Sequence, residues 1–373
     1  IACKKSRMNS PVASLSKRKI AQNTIFVLLC AFIAGITGVL TAALMFWMAH
    51  QKIAQDDHLK HGISHQKASR LGGLAVAICA AVIYWIYSGL PLELLRVTSG
   101  VLANPISYAT LIGLVGLYDD VNGHLSARIR LVLTTLVFAA WLLLNLDYIP
   151  SAIGIPLLDS VLQITPIAFL LCLLACVALL NATNMADGAN GLMPLVFMGT
   201  FYAYALMTSE LIYLALTMAL MVFTLFNVLS GKLFLGDAGS YGLGALAALG
   251  AVKIISETEA EVWLFLCLAA YPIIDFLVSV TRRKVAGRSP LSPDSDHMHN
   301  RLYRYVRGFI SSPLVANSIS GLTISIATTG IAVVLLRFWA VDSNYWIALF
   351  ACIVAIYLVA YSLLPTNEPK TSE

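Results

Sequence analysis

The stretch NATNMADGANGL at 181–192 sets Asn181, Asn184, Asp187 and Asn190 three residues apart between two long apolar runs. On a helix, residues at that spacing share a face. Amide and carboxylate oxygens on one face suit a hard cation, and an amide's paired donor and acceptor suit the edge of a nucleobase. The alternative is a polar seam, since asparagines also bridge membrane helices. Three further clusters invite similar readings. In GLYDDVNGHLSARIR, Asp119 and Asp120 are adjacent at the end of an apolar run, ahead of Arg128 and Arg130. Neighbouring carboxylates repel and lose hydration near lipid, so they suggest a cation, a proton acceptor, or both, unless the pair is simply a solvated helix end. In FLGDAGS, Asp237 precedes a Gly/Ser/Ala-rich segment. A carboxylate there can hold Mg²⁺ while free N–H groups face phosphate, or it can cap the helix. In the segment from YPIID to HMHNRL, Asp275 sits inside an apolar run, followed by Arg282, Arg283, His297, His299 and Arg301. These cations suit an anionic substrate. The His-x-His spacing also permits zinc, but no thiolates lie nearby and the carboxylates favour a harder ion.

What must position these residues is a membrane. Hydrophobic residues make up 59% of the chain and charged residues only 12%, and the charge is confined to short gaps between long apolar runs. A helix crosses the bilayer with roughly 20 apolar residues. About eleven runs meet that need: 24–48, 71–90, 100–118, 131–147, 164–180, 191–208, 211–229, 238–256, 261–280, 315–337 and 344–364. The expected fold is therefore all-α and polytopic. A single membrane-embedded domain is expected over 23–364, after a basic, poorly ordered segment at 1–22 and before a tail at 365–373. Six of the seven cysteines, Cys30, Cys79, Cys172, Cys176, Cys267 and Cys352, lie in apolar runs and read as small buried hydrophobes.

The net charge of +5 is a statement about topology before it is one about binding. Lys and Arg gather in the gaps at 49–70, 119–130, 181–190, 230–237 and 281–314, which fall on one side of the membrane and should be cytoplasmic. Lys4, Lys5, Arg7, Lys17, Arg18 and Lys19 run against that assignment, because they would lie outside. Apart from Asp275, placed inside a run, the polar clusters fall at run ends on the cytoplasmic side. Such a site takes an anionic substrate with a hard divalent cation. An ion-coupled secondary transporter is the alternative, but its acids usually sit mid-membrane in broken helices.

The motifs DHLKHGISHQKASRLGG, GLYDD, NATNMADGANGL, FLGDAGS, YPIID and RRKVAGRSPLSPDSDHMHNRL, in that order, resemble the polyprenyl-phosphate N-acetylhexosamine-1-phosphate transferases, relatives of phospho-MurNAc-pentapeptide translocase. The resemblance implies ten or eleven helices around a cytoplasm-facing cleft in a bacterial inner membrane. It also implies transfer of a sugar 1-phosphate from a UDP-sugar to a polyprenyl phosphate, with release of UMP, to start cell-envelope glycan synthesis. Mg²⁺ is the expected cofactor, with Mn²⁺ an acceptable substitute. A homodimer is allowed and no nucleic acid is expected. Carried over by position, Asp237 is the metal-binding aspartate and Asn184 assists it. Asp119 and Asp120 receive the polyprenyl phosphate and accept its proton, and Asp187 is a further acidic position of the site. Asn190 stands near the uracil. Arg128, His297, His299 and Arg301 contact diphosphate or sugar, and Asn181, His65, Lys67 and Arg282 are counted with the substrate-binding residues. The sequence departs from the family where many members carry a third histidine, here His-Met-His-Asn, and in lacking the usual prolines near His65, Gly72 and Gly73.

Overall fold

The computed structural model describes residues 35–51, 54, 68–89, 104–123, 125–258, 260–289, 294–338 and 343–365. His65, Lys67, the segment 1–22 and the tail from 366 lie outside the described residues. Among the described residues all regular elements are helical. The apolar runs carry α1 (Gly35–Ala49), α2 (Gly72–Ser88), α3 (Pro105–Asn122), α4 (Ala127–Leu144), α6 (Thr165–Ala186), α7 (Leu192–Thr208), α8 (Leu211–Ser230), α9 (Gly236–Glu257), α10 (Val262–Leu268), α11 (Ala270–Val285), α13 (Pro313–Ser325), α14 (Ile331–Phe338) and α15 (Ser343–Leu363). Two short helices, α5 (Pro156–Leu162) and α12 (Met298–Arg307), lie in the connections. By length and composition α4, α6, α8, α9, the continuous α13–α14 and α15 can each cross a membrane, and α10 with α11 makes a seventh span if the bent pair counts as one. Helices α1, α2 and α7 are apolar but shorter. Large apolar side chains such as Leu143, Leu144, Leu225, Leu229, Ile356 and Val359 face outward, as a lipid environment requires. The protein is multi-pass.

Helix α9 is the axle. Its sequence GDAGSYGLGALAALGAVKIISE is rich in small residues, and small residues let membrane helices approach until their backbones nearly touch. It packs against α3, α6, α2 and α7. At Gly116 of α3, a Cβ would collide with the backbone carbonyl of Asp237, so that glycine sets the separation of α3 and α9 at the end where the acids lie.

One apolar run behaves differently from its sequence. The stretch expected as one span at 261–280 is two helices, α10 and α11, bent by 78°. The cause is local. Pro272 has no N–H to donate to the carbonyl of Leu268 four residues earlier, so that group needs another partner in a setting without water. Thr329 Oγ1 donates to it at 2.7 Å. Thr329 belongs to a π-helical turn, Ile326–Gly330, between α13 and α14, and such turns re-aim side chains within a helix.

Candidate active site

Five chain segments deliver polar groups to one end of the bundle: the start of α2, the end of α3, the start of α4, the end of α6 and the start of α9. A single isolated bridge fixes the first of them. Ser69 pairs with Leu233, its N–H donating to Lys232 O at 3.0 Å and its carbonyl accepting from Phe234 N at 2.9 Å. Gly72 N and Gly73 N then donate to the carbonyls of Phe234 and Leu235. This strap holds Arg70 beside the start of α9, where its carbonyl and side chain crowd Gly236. Gly236 adopts φ +69°, a conformation glycine takes at little cost.

The two neighbouring aspartates do different work. Asp120 is buried, 7% exposed, and accepts from the backbone N–H of Asp237 at 3.0 Å and of Ala238 at 2.8 Å. It therefore satisfies the free donors at the start of α9. Asp119 points to α4, accepting from Leu125 N at 3.0 Å and from Arg130 Nη1 at 2.5 Å. The same Nη1 donates to Asp237 Oδ2 at 2.6 Å. Asn184 Nδ2 donates to Asp237 Oδ1 at 2.9 Å and to Ser240 Oγ at 2.8 Å. So Asp119, Arg130, Asp237 and Asn184 form one chain of contacts across α3, α4, α9 and α6. Arg128, two residues from Arg130, is exposed on the other side of the turn; Arg130 is the guanidinium that reaches the acids.

Asp187 terminates α6 in a non-helical conformation, φ −78° and ψ 64°. Burial first, then the charges of Asp237 and Asp120, push its carboxyl up to about 7, and Arg70 opposes them. Asn181, by contrast, bonds its own helix through Val177 O at 2.8 Å. Asn190 lies in a junction between helices, 3% exposed. Its N–H donates to Asn317 Oδ1 at 3.2 Å, and its amide nitrogen lies 3.5 Å from Ser318 Oγ. Next to it, Gly191 N donates to Asn227 Oδ1 at 2.7 Å. The helical spacing that put Asn190 on the face of Asn184 ends at Ala186, which is why the two diverge.

The histidines approach from another side. Asp275, buried in α11, accepts from Met298 N at 3.0 Å and Tyr357 Oη at 2.6 Å, and lies 2.6 Å from His297 Nδ1. It thereby holds the start of α12. The His297 and His299 rings stack at 5.4 Å, and His299 Nδ1 lies 2.7 Å from Tyr271 Oη. A Cβ on Gly188 would strike His299 Nε2, so the glycine of MADG seats this ring against the end of α6. Burial, then the neighbouring His297, pushes His299 down to about 3, leaving it neutral at physiological pH. The arginines expected to meet substrate are already engaged. Arg301 forks onto Asp296 at 2.8 and 2.6 Å and lies over the Tyr361 ring at 3.7 Å. Arg282 bonds Asp294 and, at 2.9 Å, Asp296. These pairs pin the loop before α12 to α11 and α15.

A family model described as glycosyl transferase family 4 matches residues 102–255, the segment that contains Asp119, Asp120, Arg130, Asn184, Asp187 and Asp237. This central segment is similar to glycosyl transferase family 4. The family 4 segment thus supplies the whole acidic cluster, while Asp275 and the two histidines lie beyond it. The chain is 27% identical over 341 residues, 87% of its length and 88% of the relative's, to a probable undecaprenyl-phosphate N-acetylglucosaminyl 1-phosphate transferase of Bacillus subtilis. It is 31% identical over 193 residues, 52% of its length, to an undecaprenyl-phosphate alpha-N-acetylglucosaminyl 1-phosphate transferase of Thermotoga maritima, spanning 59% of that protein. It is also 31% identical over 277 residues, 64% of its length, to a decaprenyl-phosphate N-acetylglucosaminephosphotransferase of Mycolicibacterium smegmatis, spanning 65% of it.

Whether the family 4 cluster suits a divalent cation can be tested on its donors. No group of three His, Cys, Asp or Glu is gathered for a metal among the described residues. Mg²⁺ does not need one, because it keeps several waters and is held by one or two carboxylates together with substrate phosphates. Two carboxylates from different helices, converging on a single cationic nitrogen, fit that requirement. Sequence reading missed Arg130 and Arg70 as site residues and Asp294 and Asp296 as partners of the arginines. The signal for Arg130 was its place about one helical turn beyond the capping Ser126, at the start of the helix that follows the two aspartates.

Proposed function

We propose that the protein transfers an N-acetylhexosamine 1-phosphate from a UDP-sugar to a polyprenyl phosphate, releasing UMP and leaving a polyprenyl-diphospho-sugar. The carrying observation is the convergence of Asp119 and Asp237 on one cation position, with Asn184 bonded to the second oxygen of Asp237, in a chain whose relatives bear phosphotransferase names. A membrane-embedded protein with its acids at helix ends can meet a lipid phosphate from the bilayer and a soluble nucleotide from water, and the charge distribution favours the cytoplasmic side of a bacterial inner membrane for that end.

Asp237, with Asp119 and Asn184, would hold Mg²⁺, which supplies neutralisation of phosphate charge and a fixed geometry for in-line displacement. The protein's own groups do the rest. Arg70 and Arg130 lie where diphosphate oxygens would be drawn. Asp187, whose proton affinity is raised to about 7, is suited to take a proton from the incoming phosphate near neutral pH. Asp120 positions the start of α9 and with it Asp237. His299, neutral and held by Tyr271, offers a hydrogen-bonding edge near Gly188 to the sugar or its phosphate. None of the relatives named above is a transporter, and the acids lie at helix ends rather than mid-helix, apart from Asp275, which is already bonded to α12 and α15.

The test is direct. Purified protein in detergent is supplied with polyprenyl phosphate, Mg²⁺ and a panel of UDP-sugars, and UMP is measured. Release is expected with at least one UDP-N-acetylhexosamine and only when the lipid is present. No release with any donor would overturn the assignment.

A further inference from the structure

The acidic cluster contains an unusual salt bridge. A permanent arginine–carboxylate pair ordinarily engages two guanidinium nitrogens in a fork, and this protein builds one: Arg301 presents Nε and Nη2 to the two oxygens of Asp296. Arg130 does otherwise. It offers one nitrogen, Nη1, to two carboxylates on different helices, Asp119 Oδ2 at 2.5 Å and Asp237 Oδ2 at 2.6 Å. Its Nε is buried without a hydrogen-bond partner, which costs free energy that a fork would recover. The guanidinium is thus used as a point charge, in the manner of a bridging cation.

We propose that Arg130 is a displaceable counter-ion, which holds Asp119 and Asp237 together until a divalent cation takes the same two oxygens and expels it. The proposal rests on the reading of Asp237 as a metal-binding residue. Its physical basis is exclusion. Mg²⁺ binds oxygens at about 2.1 Å and tolerates little distortion, so it cannot occupy the space between two carboxylates that a guanidinium nitrogen already fills. Electrostatics also favours the exchange, since a doubly charged ion neutralises both acids where the guanidinium neutralises one. The free ion pair keeps two like charges from forcing α3 and α9 apart. Once released, Arg130 stands at the mouth of the site as an unpaired cation, and its Nε gains access to water or to a phosphate.

Two measurements on the full-length protein in detergent test this, neither needing substrate. Mn²⁺ binding is followed by electron paramagnetic resonance for wild type, Arg130→Met and Asp237→Asn. The competitor's removal should tighten Mn²⁺ binding by roughly tenfold or more, and Asp237→Asn should weaken it strongly. Separately, wild-type protein is treated with phenylglyoxal and modification of Arg130 is quantified by mass spectrometry with and without Mg²⁺. Added Mg²⁺ should raise modification of Arg130 several-fold, and should not do so in Asp237→Asn. If Asp237→Asn binds Mn²⁺ as wild type does, the metal reading itself fails. If Asp237→Asn loses Mn²⁺ while Mg²⁺ leaves Arg130 labelling unchanged, or Arg130→Met binds no tighter, the metal reading survives and the counter-ion proposal is overturned.

Discussion

Asp119 and Asp120 are adjacent in sequence and separable in function. Asp120 accepts two backbone N–H groups at the start of α9, so Asp120→Ala should lower stability by about 2 kcal/mol, the cost of leaving buried donors unpaired. Asp119→Asn, which keeps an oxygen to accept the Leu125 N–H, should reduce turnover while leaving the melting temperature nearly unchanged; equal losses of stability in both variants would reject the division. His299 carries a pH signature. Its folded proton affinity is depressed to about 3 from an unfolded value near 6.5. The folded state therefore binds fewer protons, and stability present above pH 6.5 is lost as the pH falls below it. Between pH 7 and 5.5 this amounts to roughly 1 kcal/mol. The thermal stability of His299→Gln should fall less over that interval than wild type's, and identical acid limbs would contradict it.

Element by element, the site depends on how closely helices approach. Gly116 lets the end of α3 lie against the Asp237 carbonyl, so Gly116→Ala should push α3 from α9 and separate Asp119 from Asp237. Activity should drop at least as much as stability, which paired turnover and melting measurements would reveal. The bend between α10 and α11 carries Asp275 and Tyr271 to α12, and hence orients His297 and His299. The carbonyl of Leu268, freed by Pro272, is satisfied by Thr329. Thr329→Val should cost about 0.6 to 1.7 kcal/mol, the range of hydrogen bonds between membrane helices. A larger kinetic than thermal effect would indicate that the bend itself tunes the histidines.

For the whole molecule, the charge distribution predicts an orientation. The acidic cluster, Gly287 and Arg288 lie toward one end, whereas Ser151 lies in the connection between α4 and α6 at the other. Single cysteines at the exposed Ser151 and Arg288, in a background with Cys352 replaced, should react with an impermeant thiol reagent from outside and inside the cell respectively. The reverse pattern would overturn the cytoplasmic placement of the site.

Composition and apolar run length alone determined that the chain is helical and membrane-embedded, because a bilayer offers no water to unpaired backbone groups and leaves helices as the solution. The candidate motifs stood out for the same reason: Asp119, Asp120, Asn184, Asp187 and Asp237 are costly near lipid, so their presence at run ends marked them as candidates, and the fold brings Asp120, Asn184 and Asp237 into contact. Roles within the site were not legible. Nothing in DD says that one carboxylate caps a distant helix and the other meets Arg130. NATNMADGAN has one spacing, yet its helix ends at Ala186, sending Asn184 to Asp237 and Asn190 to a buried junction. Arg301 and Arg282 looked free for an anion until Asp294 and Asp296 came beside them. Each of these depends on contacts between residues distant in the chain, except the arginine pairs, which depend on a loop whose path only packing decides. Local pattern specifies what a residue can do; which partner it meets is chosen by the approach of whole helices, which small residues such as Gly116 permit and a bend such as that at Pro272 redirects.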